Sequence, residues 1–321
     1  MRLPLAIIAL LLTGFPGRAG DDAVEAKVLA AGGTVTRNPI FKLGRPIQEV
    51  WLGRGDNGDE LLASLTACKR LTRLRLNGSS VTNEGLEILP RIVGLEELDL
   101  VDTRITDDGM ASVGRLERLR TLRLGLITQA FSNDAAMRIR NERFKLGTVT
   151  DDGLRHVAKL KSLESLGLNR IHLTDDGLDW LAKLPNLKRL SITRAAVTDS
   201  GLKVLSGIRT LEELRLSTVN ISDEGLTHLA ELNALTHLDL SGNRRLTAAG
   251  LRPLAKLRNL RFLRLVGTDV SDADTEHFRP FEGLEILELS NSSVTPAGRA
   301  ALRKALPKCV VLPADASKAD K

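Results

Sequence analysis

Tyrosine is absent from the 321 residues, and aromatic side chains make up only 3% of them. A core assembled from large rings is therefore excluded, and the apolar content has to come from aliphatic side chains. Two cysteines occur, Cys68 and Cys309, too few for a disulfide-stapled scaffold or a cysteine-based zinc module. No apolar run reaches the roughly 20 residues that a membrane-spanning helix needs. Also missing are a Gly-x-Ser-x-Gly elbow, a His-Glu-x-x-His pair and a glycine-rich phosphate loop. Nothing in the chain points to an enzyme or to a bound cofactor, and the expectation is a non-catalytic protein.

The one compact apolar run, Leu3 to Leu12, is broken only by Pro4 and follows Arg2; small residues Gly17 and Ala19 come after it. A positive start, a short apolar stretch and small residues form the pattern of a secretory signal peptide. Residues 1–19 are read so, with cleavage after Ala19. The mature chain is then expected outside the cytoplasm, secreted or in the periplasm or cell envelope, and not as an integral membrane protein. Without Arg2 and Arg18, the 46 basic residues fall to 44 against 40 acidic ones, a net charge of +4. That balance carries no argument for nucleic acid.

What the chain has in quantity is leucine at fixed spacing. The pattern Leu-x-x-Leu-x-Leu starts at Ile47, Leu71, Leu95, Leu119, Leu163, Leu187, Leu211, Leu235, Leu260 and Leu284. Successive gaps are 24 residues, except 44 after Leu119 and 25 after Leu235. So regular a period marks a solenoid of stacked units. In the unit at Leu187, the alternation Leu187, Leu190, Ile192 has the two-residue period of a strand. After Val197, Thr198-Asp199 suits a helix start, because a side-chain oxygen caps free N–H groups and an acid sits at the positive dipole end. Leu202, Leu205 and Ile208 then follow at helical spacing. Ten parallel strands with ten helical returns are expected, each unit burying the apolar face of its neighbour.

The phrase that closes each strand recurs as Val149-Thr-Asp-Asp-Gly-Leu154, Leu173-Thr-Asp-Asp-Gly-Leu178, Val197-Thr-Asp-Ser-Gly-Leu202 and Ile221-Ser-Asp-Glu-Gly-Leu226. In these residues the chain resembles the leucine-rich-repeat family, and within it the cysteine-containing, F-box-adaptor-like subclass as found in exported bacterial proteins. The resemblance implies an α/β solenoid with a curved parallel sheet on the concave face and helices on the convex face. It also implies protein binding in general. The array is expected over residues 47–312, behind an N-terminal cap at 20–46 and ahead of a disordered tail at 313–321. In the cap, Asp22 to Ala31 reads as a helix stopped by Gly32-Gly33, followed by a short strand around Val35. About residues 127–146 form an insertion within the unit at Leu119.

Strand alternation points the residue between the second and third leucines into the sheet face opposite the helices. Down the array this row reads Trp51, Arg75, Asp99, Arg123, Gly167, Ser191, Arg215, Asp239, Arg264 and Glu288. The preceding inward slot adds Arg73, Glu97, Arg189, Glu213, His237 and Phe262. Arginine is enriched at interfaces, and the interleaved acids are unlike the uniformly basic groove of a nucleic-acid binder. The candidate binding residues are Trp51, Arg73, Arg75, Asp99, Arg123, Arg189, Arg215, His237, Asp239, Arg264 and Glu288, with a protein, or a polar glycan, as partner and no nucleic acid. A monomer is expected. The alternative is a self-associating structural component of the cell envelope.

Three further constellations are read as structural. His156, His228 and His277 share one slot after the helical glycine position and are read as packing residues, not zinc ligands. Asp107, Asp151, Asp175, Asp199 and Asp223 form a column that could hold calcium through oxygen ligands, but helix-start chemistry explains it without a metal. Cys68 and Cys309 occupy aliphatic slots of the repeat and are expected to be buried thiols with no bond between them.

Overall fold

In a computed structural model of the chain, residues 18–38, 46–53, 55, 57–126 and 148–313 are described. The expected signal segment before Arg18, the insertion at 127–146 and all of the tail but Pro313 lie outside these residues. The chain forms two compact units, Met1–Leu163 and Glu164–Lys321.

In the first unit a helix, Arg18–Ala30, starts four residues earlier than the sequence suggests and includes Arg18 and Ala19. It ends where Gly32 adopts a left-handed φ of +76°, as expected of a terminating glycine. Strands β1 (Thr34–Arg37), β2 (Ile47–Trp51), β3 (Arg73–Arg75), β4 (Glu97–Asp99) and β5 (Thr121–Gly125) follow. The strands β2 to β5 are parallel and in register, with Trp51, Arg75, Asp99 and Arg123 side by side. β1 is antiparallel to β2. This antiparallel pairing sets the cap apart from the parallel strands of the repeats that follow. The cap is pinned to the first repeat by Asp21, which is buried and accepts the Ile47 N–H at 3.0 Å. Arg37 of β1 pairs with Asp22 and Glu25 of the helix.

The second unit contains β6 (Ser165–Asn169), β7 (Arg189–Thr193), β8 (Glu213–Ser217), β9 (His237–Asp239), β10 (Phe262–Arg264), β11 (Ile286–Glu288) and β12 (Val310–Leu312). All neighbours pair in parallel. The expectation of ten parallel strands is thus corrected in two ways. β1 adds an antiparallel strand in the cap, and β12 adds a parallel one from a further repeat start at Cys309.

Each unit's core is an aliphatic ladder. In the repeat at Leu187, the side chains of Leu187, Leu190, Ile192, Val197, Leu202, Leu205 and Ile208 are all at most 4% exposed. Each contributes about 1.5–3 kcal/mol by leaving water. Return segments are α-helical at Asp175–Leu181, Asp199–Leu205 and Asp223–Leu229, but tighten to 3-10 helix at Ala249–Lys256, which carries Pro253, and at Asp272–Phe278.

The repeats are also joined by side chains. Asp175 Oδ1 accepts the N–H of Thr198 at 2.9 Å and its Oδ2 accepts the Thr198 hydroxyl at 2.5 Å, one repeat later. Asp199 does the same for Ser222, and Asp223 for Thr247. In the first unit Asp59 grips Thr82 and Asp107 grips Thr150, while Asn83 grips Thr106 with its amide. This staple explains the recurring glycine. A Cβ on Gly201 would stand 2.3 Å from Asp175 Oδ1, and one on Gly225 would stand 2.3 Å from Asp199 Oδ1. The glycine is the seat of the preceding repeat's carboxylate.

Candidate functional site

Asp107, Asp175, Asp199 and Asp223 of the aspartate column are inter-repeat staples with both carboxylate oxygens engaged. Local capping, the sequence-based explanation, is a minor part of it: Thr150 and Thr198 accept the N–H of Asp152 and Ser200, and Thr295 that of Gly298. Among the described residues no group of three or more His, Cys, Asp and Glu side chains is gathered around a common point. The shared histidine slot holds hydrogen-bonding partners: Arg155 Nε donates to His156 Nε2 at 3.2 Å, and Arg252 Nε to His277 Nδ1 at 3.0 Å. Burial, with the nearby Lys159 and Arg155, lowers the His156 pKa. Both cysteines are free and buried. Burial, reinforced by the Asp21 carboxylate, pushes the Cys68 thiol up to about 12, and burial pushes Cys309 up to about 11. Neither thiol is reactive at neutral pH while the chain is folded.

What remains is the sheet face turned away from the helices. In the first unit Glu49 sits between two arginines, with Arg73 Nε at 3.3 Å and Arg75 at 3.0 Å. Glu49 was not singled out in the sequence, although its place on β2 between Ile47 and Val50 gives it the inward direction. Asp99 Oδ1 accepts the Val101 N–H at 3.0 Å, which leaves Oδ2 toward Arg123 at 3.8 Å. Desolvation raises the Asp99 pKa against the pull of that N–H and of Arg123 and Arg75. The carboxylate is tucked in, and the Arg123 side chain is 65% exposed above it. Trp51, the row's first member, is half-buried.

The second unit repeats the arrangement. Asp239 is buried and its Oδ1 accepts both the N–H and the hydroxyl of Ser241, at 3.0 and 2.5 Å. Arg215 on one side and Arg264 on the other stand 3.7 and 3.9 Å from its Oδ2. Glu288 is held by the N–H and hydroxyl of Ser290. In the preceding row His237 stacks on Phe262, with ring centroids 5.6 Å apart and planes 24° apart. Arg189 lies half-buried in the same row. Within each unit the candidate residues of a row stand in register on neighbouring strands. Alternation did not distinguish the acids, folded back onto their own strand ends, from the arginines, which reach outward.

A family model described as Leucine Rich repeat matches residues 95–114, 183–206 and 232–255. No curated protein matches the chain in sequence. Among solved structures, an internalin (inlF) from Listeria monocytogenes is similar over 94% of this chain and 98% of its own, at 19% identity and a TM-score of 0.51. An internalin C2 (inlC2) from the same organism is similar over 71% of this chain and 84% of its own, at 24% identity and a TM-score of 0.49. The first of these likenesses establishes the repeat fold and nothing about a partner.

Proposed function

We propose that this chain, which belongs to the leucine-rich-repeat proteins, is a non-catalytic protein-binding module whose partner meets the sheet face opposite the helices, outside the cytoplasm. The observation that carries the reading is the pairing of locked acids with outward arginines. Arg123 and Arg215 are 65% and 60% exposed, and among the described residues their nearest carboxylate oxygens lie 3.8 and 3.7 Å away, longer than a hydrogen bond. Their guanidinium donors are therefore open to a partner, while the acids beneath fix their position. An exposed pair of this kind contributes at most about 1 kcal/mol to folding, so stability alone gives little reason to spend an arginine there. The N-terminal pattern of Arg2, Leu3 to Leu12 and Ala19 supports export, and the mature array is read as a monomer.

The test uses partners captured by the full chain from its host's envelope fraction. Arg123→Ala combined with Arg215→Ala should weaken their binding at least about tenfold, or 1.4 kcal/mol, with an unchanged melting temperature. Lys161→Ala combined with Lys203→Ala, on the helical side, should leave binding intact. Loss of binding in the lysine pair alone would transfer the interface to the helices and favour lateral self-assembly in the cell envelope.

A further inference from the structure

The sheet face of the second unit is not uniform. At its C-terminal end one row is apolar: His237, Phe262, Ile286 and Val310 are in-register neighbours on β9 to β12. Val310 is 56% exposed, one of three exposed large apolar side chains among the described residues. Phe262 and Ile286 are half-buried, and the His237 ring extends the stripe by stacking on Phe262. At about 4.8 Å per strand the stripe is roughly 14 Å long. Two residues further along the strands runs the charged row of Arg215, Asp239, Arg264 and Glu288, about 7 Å away. Its two acids and two arginines balance in charge but differ in reach. Asp239 is 9% exposed and Glu288 is folded onto Ser290, whereas Arg215 and Arg264 are 60% and 46% exposed. An apolar stripe thus lies beside a pair of available guanidiniums.

We infer that this end of the sheet face takes an extended acidic peptide segment, with one or two large apolar side chains on the Phe262–Ile286–Val310 stripe and a carboxylate on Arg215 and Arg264. The inference rests on the sheet-face reading above and names the partner's chemistry. The open guanidinium donors select an acid, because Asp239 Oδ1 is engaged by Ser241 and both arginines stand beyond hydrogen-bond distance of its Oδ2. The stripe selects a peptide over a neutral sugar. Sugar rings stack on aromatic faces, and beyond Phe262 the stripe continues as aliphatic Ile286 and Val310. Side chains of an extended peptide alternate in direction, so a segment running along the boundary of the two rows sends apolar groups to one and acids to the other. About four or five residues, at roughly 3.3 Å each, span the stripe. The chain's own final residues, Ala314 to Lys321, contain no large apolar side chain and do not fit this description.

The probe is a phage-displayed library of random twelve-residue peptides, panned on the full chain. Enriched sequences should carry Asp or Glu within two residues of Phe, Leu, Ile or Met. A synthetic copy of the most enriched should lose at least about tenfold in affinity with Phe262→Ala and with Arg264→Ala, and should weaken as salt rises. Val310→Asp changes an exposed side chain and should repel the peptide without lowering the melting temperature, which keeps the test valid if Phe262→Ala unfolds the unit. Enrichment of basic peptides, or binding indifferent to all three variants, overturns the inference. Binding of a neutral oligosaccharide that is lost with Phe262→Ala overturns the peptide chemistry. Selected peptides lost only with Arg75→Ala and Arg123→Ala leave the sheet-face reading standing and remove this one; loss only with Lys161→Ala and Lys203→Ala removes both.

Discussion

Two junctions in the second unit solve one problem with a carboxylate taken from opposite sides. Between Asp199 and Ser222 the acid comes from the preceding repeat and accepts the serine N–H and hydroxyl at 2.7 and 2.6 Å. One junction further but one, the preceding repeat offers Ala248, which has no carboxylate. There Asp274, from the same repeat as Ser271, turns back and accepts the Ser271 N–H and hydroxyl, both at 2.8 Å. Asp274 stands in the slot that holds Gly225 at the first junction. The two substitutions explain each other. Where no acid arrives from the neighbour, no glycine is needed to seat it, and the slot is free to supply the acid itself. The first repeat agrees: no carboxylate among the described residues staples into it, its Gly58 N–H going to the Ser80 hydroxyl at 3.0 Å, and its glycine slot holds Leu61. Aspartate and glycine are therefore the two halves of one contact.

The largest break expected in this comparison is Gly225→Ala. In an ordinary helix the change would stabilise by about 1 kcal/mol. Here the new methyl would lie 2.3 Å from Asp199 Oδ1 and 3.0 Å from Leu202 Cδ1. Displacing the carboxylate forfeits two hydrogen bonds to a charged acceptor and adds overpacking, so a net loss of about 3 kcal/mol is expected. Denaturant unfolding monitored by circular dichroism measures it; a variant as stable as the parent would show that the glycine column has some other cause.

Asp199→Ala should cost less, about 2 kcal/mol, since it removes the hydrogen bonds without the clash. The sharper measurement is the double variant. With the carboxylate gone, Gly225→Ala should cost little or restore some stability through helix propensity, a coupling of at least about 1 kcal/mol between residues in different repeats. Additive losses would mean that the two columns are unrelated.

Those columns also mark the limit of what the sequence discloses. The leucine period placed the strands, the core and the inward rows, because a 24-residue repeat makes every unit a copy of the same local pattern. The staple was read as helix-start chemistry because Asp199 and Gly225 are 26 residues apart, and each looks like part of its own repeat. The missing signal was the joint failure at Ala248 and Asp274. For the sheet face, alternation gives the direction of a side chain but not what covers it. It put Asp239 and Arg215 in one row, yet could not foresee that Ser241 would bury the acid and leave the arginine outside. Nor did it bring in Glu49, which pairs with both Arg73 and Arg75.

A transplant tests whether the two solutions are interchangeable. Ala248→Asp combined with Asp274→Gly rebuilds the common staple at Ser271, and the pair should stay within about 1 kcal/mol of the parent, two hydrogen bonds to a carboxylate replacing two. Ala248→Asp alone should destabilise, because its carboxylate would meet the Asp274 side chain and its like charge. A stable single variant together with an unstable pair would show that the surrounding 3-10 helix, and not the carboxylate, holds that junction.

The smallest effects expected are pH dependences of opposite sign. The hydroxyl and then the N–H of Thr295 hold the Asp272 carboxyl below its ordinary value. Burial, the larger influence at Asp99, holds that carboxyl above it. A depressed folded pKa adds stability that is present above the unfolded value, about 3.9, and is lost as pH falls through the folded one. A raised one does the reverse: the charged form is the costly one in the fold, so stability falls as pH rises from the unfolded value through the folded one. Asparagine at either site keeps an acceptor oxygen, and Asn83 already performs the staple in the first unit with Thr106, so neither variant should unfold. Melting temperatures at neutral pH should then place Asp272→Asn below the parent and Asp99→Asn level with it or above it. Both differences should close as the pH is lowered and the native carboxyls take up protons, the Asp99 gap first and the Asp272 gap last. Differences of the same sign at the two sites would mean that one of the carboxyls is shifted in the direction opposite to the one its surroundings dictate.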